Sequence, residues 1–422
     1  MKYTDLTREA VREALARERS LHEKQIALGY ALDLSRGKPA AEQLDLSMPM
    51  LSLSEWQDDA GADCRNYGGL FGIPEMRRFW ASVTGIPAEN IIAWGNSSLK
   101  LMYDTLSRAM LFGMPDSPRP WGQIPSRKFL CPAPGYDRHF RVTELLGFTL
   151  VTVPMTSTGP DMDVVESLVQ DPDVVGMWCV PKYSNPTGVT YSDETVRRIA
   201  RMHTAAPDFT VMWDNAYAVH DFVEEGDHLL DVFGEAKKWG HEDRFFYFSS
   251  TSKITFPGAG VAMMAMSERN LAYIKPFLST ETIGPDKLNQ LRHIRFLPDK
   301  EALVAHMKRH AEIIRPKFDC LLSALAESLA PLSYASWTHP AGGYFISLEV
   351  PVGCAKRVWE LCREAGLTLT DAGASFPYGQ DARDSNLRLA PTYCSLEDVG
   401  VAAGILCTSV KLAALEQVTG AR

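Results

Sequence analysis

A series of near-continuous apolar runs most narrows what this chain can become: Lys128 to Cys131, Thr149 to Val153, Val174 to Val180, Phe209 to Trp213, Arg244 to Phe248 and Val261 to Met266. Asn90 to Trp94 precedes them as another buried strand, and helical patterns lie between several of them. The clearest is Ser192 to Ala206, with Ser192 placed to cap and Asp193 and Glu194 in the first turn. Strands without polar alternation, separated by helices, predict an α/β fold with a mostly parallel sheet buried on both faces. Ligands of such sheets bind beyond the carboxyl ends of the strands, so chemistry is expected from the residues just after each run.

The flanks read differently. Leu6 to about Tyr30 favours helix, and Leu32-Asp33-Leu34 is a short strand breaking into the turn Ser35-Arg36-Gly37-Lys38-Pro39. After Phe296 come helical patterns at Ala302 to Ile314, Lys317 to Leu329 and Ala355 to Ala365. Strands are predicted at Gly342 to Val350 and Asn386 to Ala390. Residues 1–45 and 315–422 are therefore expected to form a small α+β domain beside a large domain of residues 46–314.

A 422-residue chain with 45% hydrophobic and 23% charged residues has the composition of a globular protein. Its net charge of −9 argues against a nucleic-acid footprint, so small anions must be met by individually placed cations. None of the eight cysteines has C-x-x-C spacing, which favours free thiols. Met1 to Asp5 shows no apolar leader and no apolar stretch long enough for a membrane helix is read, so the expectation is a cytoplasmic protein.

After the Arg244 run, Phe248-Ser249-Ser250-Thr251-Ser252-Lys253 puts a lysine behind four small hydroxylated residues. A lysine at a buried strand end, beside hydroxyls that can hold a phosphate, suits a Schiff base with pyridoxal 5'-phosphate (PLP). The turn Gly95-Asn96-Ser97-Ser98 opens a helix, either as a phosphate cradle or as a routine N-cap. Asp214 follows the Phe209 run, where a carboxylate would keep a pyridine nitrogen protonated. Asn185 and Tyr217 can donate to a ring oxygen, Tyr136 in Pro134-Gly135-Tyr136 can stack, and Arg388 can grip a substrate carboxylate bidentately. Singly, Asp214 is also a strand-end cap, Tyr217 a core residue and Arg388 half of a surface ion pair. Jointly they require one explanation.

In these motifs the chain resembles the fold-type I PLP-dependent aminotransferases, and the bacterial class Ic aspartate aminotransferases in detail. The resemblance rests on Leu34 to Pro39, Arg65-Asn66-Tyr67-Gly68-Gly69, Gly95 to Leu99, Pro134 to Phe140 and Tyr183 to Gly188. It continues through Trp213 to Tyr217, Ser250 to Lys253, Thr282 to Lys287 and Arg388 to Pro391. It implies a mostly parallel seven-stranded sheet with helices on both faces, plus a smaller α+β domain. By the same resemblance Lys253 is the Schiff-base lysine, Asp214 meets the pyridine nitrogen, and Asn185 and Tyr217 meet the phenolate oxygen. Tyr136 stacks, Ser97, Ser98 and Ser250 bind phosphate, Arg388 takes the α-carboxylate, and Gly37 brings its backbone beside it. Tyr67 resembles a tyrosine that reaches the neighbouring subunit's phosphate, which implies a homodimer with shared active sites.

The implied reaction is ping-pong transfer of an amino group between an L-amino acid, aspartate first, and 2-oxoglutarate. A specialised aminotransferase for a non-standard amino acid, or a PLP lyase or decarboxylase, would share the cofactor residues. An effector-binding domain of a regulator is disfavoured, because no basic DNA-binding module is present. The chain departs from most of the fold in having Ala259-Gly260-Val261 where a phosphate-binding arginine is common. Lys100, Cys394 and Ser47-Met48-Pro49 also depart from the branch and are expected near the substrate side. For a second substrate carboxylate, Arg36, Lys38, Arg138 and Arg292 are candidate partners.

Overall fold

The computed structural model describes residues 7–332 and 334–420; Leu6, the expected start of the first helix, lies outside them. Strands β2 (Ile91–Ala93), β3 (Lys128–Ala133), β4 (Thr149–Thr156), β5 (Gly159–Pro160), β6 (Val174–Cys179), β7 (Thr210–Asp214), β8 (Phe245–Ser250) and β9 (Ala262–Ala265) form one sheet. Its order is β2-β9-β8-β7-β6-β3-β4-β5. Neighbours from β8 through β4 are parallel, whereas β9 is antiparallel to both β8 and β2. The expected seven strands are present, and the two-residue β5 adds an eighth by folding back antiparallel on β4.

Alternation along the strands divides the core between the two faces, as side chains of successive strand residues must. Val211 and Trp213 of β7 join Phe245 and Tyr247 of β8 on one face. Met212, Phe246 and Phe248 pack on the other. Because β2 and β8 both run opposite to β9, the carboxyl ends of β2, β3, β6, β7 and β8 emerge at one edge of the sheet.

A third core holds the remaining elements. Val11 and Leu15 of the helix Arg8–Ala27, the short strand β1 (Leu32–Asp33) and the helices Ala355–Glu364 and Leu396–Thr419 contribute to it. A three-stranded sheet, β10 (Ser336–Trp337), β11 (Ile346–Glu349) and β13 (Asn386–Leu389), lies in the same region, and β1 pairs in parallel with β12 (Leu367–Thr368). The strand expected from Gly342 begins only at Ile346: Gly342 packs against the Tyr183 ring, and Gly343 takes a left-handed backbone conformation (φ +82°) that a strand residue does not adopt.

Two expectations for this part of the chain are corrected. The segments on either side of Pro316 are one helix, Lys300–Leu329, with the proline inside it. An internal proline costs about 3 kcal/mol. Here Leu303 and Met307 anchor one end in the sheet core, and Ile314, Phe318, Leu321, Leu325 and Leu329 anchor the other in the third core. The helix Leu396–Thr419 contains an 18-residue window of mean hydropathy 1.6, apolar enough to cross a membrane, but 72% of that window is buried inside the protein. It is a core helix, enclosed on most sides and therefore without a polar face.

No disulfide joins cysteines among the described residues. Replacing Leu321, which is fully buried in the middle of the third core, by alanine is expected to cost about 2–5 kcal/mol in a denaturant titration.

Candidate active site

The strand ends converge on a cavity of about 570 Å³. Gly37, Ser97, Ser98, Tyr136, Asn185, Asp214, Tyr217, Ser250, Lys253 and Arg388 all line it. Tyr67 does not: the residue is 80% exposed on the Asn66–Gly69 loop, where its carbonyl accepts a bond from Lys287 Nζ at 3.2 Å.

Asp214 is the last residue of β7 and is almost completely buried. One carboxylate oxygen, Oδ2, accepts from His139 Nε2 at 3.0 Å. His139 lies flat on Trp178, with ring centroids 4.2 Å apart and planes 8° from parallel. The other oxygen, Oδ1, is buried without a hydrogen-bond partner. Leaving a buried carboxylate oxygen unpaired is costly, and a protonated ring nitrogen supplies the N–H donor it lacks. This orphaned acceptor is the feature by which the site fits PLP.

Lys253 closes the short turn after β8, and its Nζ stands 4.9 Å from the Tyr217 ring centroid and 6.0 Å from that of Tyr344. Burial pushes its ammonium below the ordinary lysine value of 10.5, while the Asp214 charge opposes the shift. Burial drives the Tyr217 phenol well upward and the Tyr136 phenol to about 12, so both remain donors near neutral pH. The turn is clamped from behind. His293 Nε2 faces the hydroxyls of Thr251 and Thr255 at 3.0 and 2.9 Å, and its Nδ1 donates to the Asn289 carbonyl at 2.8 Å. His306 Nε2 holds the Ile254 carbonyl at 2.8 Å.

Hydroxyls gather where a phosphate would sit. Ser97 caps the helix Ser98–Phe112, and Ser250 Oγ bonds to Ser252 Oγ at 3.1 Å. Ser252 Oγ in turn donates to the Asn96 carbonyl at 3.1 Å, tying the two walls of the cradle together. A helix start with free N–H groups suits an anion. The region Ala259-Gly260-Val261 forms a turn into β9 and contributes no cation.

Gly37 is required by space: a Cβ there would run into the Phe345 ring. Arg388, from β13, lies over the same ring and bonds Thr370 Oγ1 through Nε and Nη2 at 3.3 and 3.0 Å. Its Nη1 donates to Asp137 Oδ1 at 2.6 Å and reaches Asn185 Oδ1 at 3.4 Å. Of the other candidate cations, Arg36 and Arg138 line the cavity. Lys38 instead sits 3.6 Å over the Tyr393 ring, and Arg292 is not among the lining residues. Lys100, Cys394 and Ser47 to Pro49, expected near the substrate, are not in the lining either. Lys100 turns outward to Asp104 at 2.5 Å, and the Cys394 thiol is tied to the Asp33 carbonyl at 3.0 Å.

Sequence pattern does not single out His139, Asp137, Thr370 or Phe345. The first two follow Tyr136 in the opening turn of the helix Asp137–Leu145, so the stretch Pro134 to Phe140 carries their signal. Thr370 and Phe345 are brought to the site by the third core and have no local signal.

A parallel-cored sheet whose strand ends meet a lysine, an acid and an arginine in one cavity is the architecture of a fold-type I aminotransferase, an enzyme of the transaminase type. The chain belongs to the aspartate amino-transferase family, whose model matches residues 6–422. It is 47% identical over 388 residues to an aspartate aminotransferase of Corynebacterium glutamicum, covering 91% of this chain and 90% of that one. A solved aspartate transaminase from C. glutamicum superposes with a TM-score of 0.97 at 44% identity, covering 99% of each chain. The fold is shared with LysN of Thermus thermophilus, an α-aminoadipate aminotransferase solved with N-(5'-phosphopyridoxyl)-L-leucine. For that pair the TM-score is 0.73 at 23% identity, over 93% of this chain and 94% of that one. Membership of the family implies PLP.

His139→Phe preserves the stack on Trp178 while removing the bond to Asp214. A hydrogen bond to a charged group contributes about 1.5–3 kcal/mol, so turnover is expected to fall about 10- to 100-fold in a transaminase assay, with the circular dichroism spectrum unchanged. Burial lowers His293 to about 4 and His310 to about 3, against 6.5 when unfolded. Between pH 6.5 and 4 the unfolded chain binds these protons and the folded chain does not, so stability falls with falling pH. The expected slope is about 1.4 kcal/mol per pH unit for each histidine, read from denaturant midpoints across that range.

Proposed function

We propose that this enzyme binds PLP through Lys253 and moves the amino group of L-aspartate to 2-oxoglutarate by a ping-pong mechanism. The observation that carries the reading is the pairing, in one cavity, of Lys253 with an Asp214 carboxylate whose Oδ1 has no partner. Aspartate is favoured by the 47% identical relative of that activity, and by Arg36 and Arg138 sharing the cavity with Arg388.

In this reading PLP, when bound, supplies the electron sink that makes the substrate Cα acidic. Asp214, oriented by His139, holds a proton on the ring nitrogen. Asn185 and Tyr217 donate to the ring oxygen, Tyr136 covers the ring, and Ser97, Ser98, Ser250 and Ser252 hold the phosphate. Arg388 binds the α-carboxylate and so turns one Cα bond toward Lys253. The Lys253 amine, freer of its proton because it is buried, takes the Cα proton and returns it during transfer. Arg36 or Arg138 meets the second carboxylate.

The exposed Tyr67 is assigned to the phosphate of a neighbouring subunit, in a homodimer with shared active sites. Residues 46–314 form the cofactor-binding domain, and 1–45 with 315–422 the small domain that carries Arg388. Cysteines kept out of disulfides among the described residues favour a cytoplasmic location.

Purified enzyme with L-aspartate and 2-oxoglutarate is expected to yield oxaloacetate and glutamate in equal amounts, with parallel double-reciprocal plots. Turnover of another amino acid but not aspartate would reject the substrate. Borohydride reduction followed by peptide mapping is expected to leave the pyridoxyl label on Lys253; a label elsewhere would reject the site.

A further inference from the structure

A single helical turn contributes more to this cavity than the transamination reading uses. Tyr136, Asp137, Arg138 and His139 all come from the start of the helix Asp137–Leu145. Tyr136 and Arg138 line the cavity, and His139 holds Asp214. Asp137 also lines it, and its carboxylate lies against the guanidinium of Arg388 at 2.6 Å.

The guanidinium has few donors left. Its Nε and Nη2 engage Thr370 Oγ1, and Nη1 engages Asp137 Oδ1 and approaches Asn185 Oδ1. Arg388 is 9% exposed, and a cation so far out of water needs an anion beside it. Asp137 is the acidic partner that the structure gives it. A ligand carboxylate reaching for the Nη1 and Nη2 edge meets a carboxylate already occupying part of it. Thr370, Asn185 and the face of Phe345 meanwhile fix the guanidinium plane without help from Asp137. Asp137 is also the more open member of the pair, with 24% of its side chain exposed, so it has room to turn aside.

We propose that Asp137 is an internal competitor for the carboxylate subsite, occupying Arg388 at rest and displaced or shouldered aside by each incoming substrate. This rests on the reading that Arg388 binds the substrate α-carboxylate. Exchange of one carboxylate for another returns little electrostatic free energy, so Asp137 limits affinity and keeps KM high. A substrate with a second anionic group recovers binding from Arg36 or Arg138, which share the cavity.

The test is isothermal titration of the PLP-loaded enzyme with maleate, a dicarboxylate without an amino group, for wild type, Asp137→Asn and Arg388→Leu. Removing one like charge close to the ligand is expected to tighten maleate binding about tenfold in Asp137→Asn, with a similar fall in KM for aspartate. Arg388→Leu is expected to lose binding. Unchanged or weaker binding in Asp137→Asn, with binding lost in Arg388→Leu, overturns the competitor role and leaves the Arg388 assignment intact. Full binding in Arg388→Leu overturns both. Asp137→Ser serves as a second variant, and must tighten binding likewise if Asp137→Asn proves unstable in thermal melts.

Discussion

A carboxylate buried at the end of a central strand is tolerable only if its charge and both its oxygens are provided for. In this protein that requirement shapes the site. Asp214 closes β7 with little exposure and lines the cavity, one oxygen is met by His139, and the other is buried unpaired. His139 in turn is held flat by Trp178 from β6, so the strand next to β7 sets the direction from which the acid is supported. The arrangement leaves one buried acceptor in need of a donor. The depressed ammonium of Lys253 and the raised phenol of Tyr217 share a cause with it, because the burial that strengthens the grip of Asp214 disfavours charge on its neighbours.

The substrate side depends on how two cores are joined. Lys253 ends the turn that follows β8 of the large sheet, while Arg388 comes from β13 of the small one. Their relation is held by the helix Lys300–Leu329, which buries Leu303 and Met307 in one core and Ile314 through Leu329 in the other. His306 on that helix grips the Ile254 carbonyl, linking the inter-core strut to the turn that presents the lysine. A continuous helix at this point is stiffer than two helices meeting at Pro316 would be. Arg388 and Lys253 are accordingly held at a set separation, with Asp137, Asn185 and Thr370 closing the space around the guanidinium.

Much of this is legible in the order of the residues. Parallel strands buried on both faces announce themselves as unbroken apolar runs, and the chemically important residues follow them within a few positions. Lys253, Asp214, Tyr136, Asn185 and the Ser97-Ser98 turn therefore stand out by place as well as by type. His139 does not, although it sits inside a conspicuous motif, because a histidine near the start of a helix has many uses and only the fold brings it against Asp214. Pro316 misleads for a related reason. Its local preference is to break a helix, and that preference is outweighed by apolar contacts made far away in the chain.

From its residues alone the chain set its α/β class, the edge of the sheet at which a cavity would open, and the lysine and acid that would line it. These follow from short-range rules: strand burial, turn chemistry and the position of a side chain just beyond a strand. Tertiary structure alone decided which neighbours those groups would have. The pairing of Asp214 with His139, the seating of Arg388 between Asp137 and Thr370, and the exclusion of Lys38 and Lys100 from the cavity join residues distant in sequence or turn on which way a side chain points. Such contacts leave no periodic trace in a single sequence, since they are fixed by how the cores pack and not by any local preference.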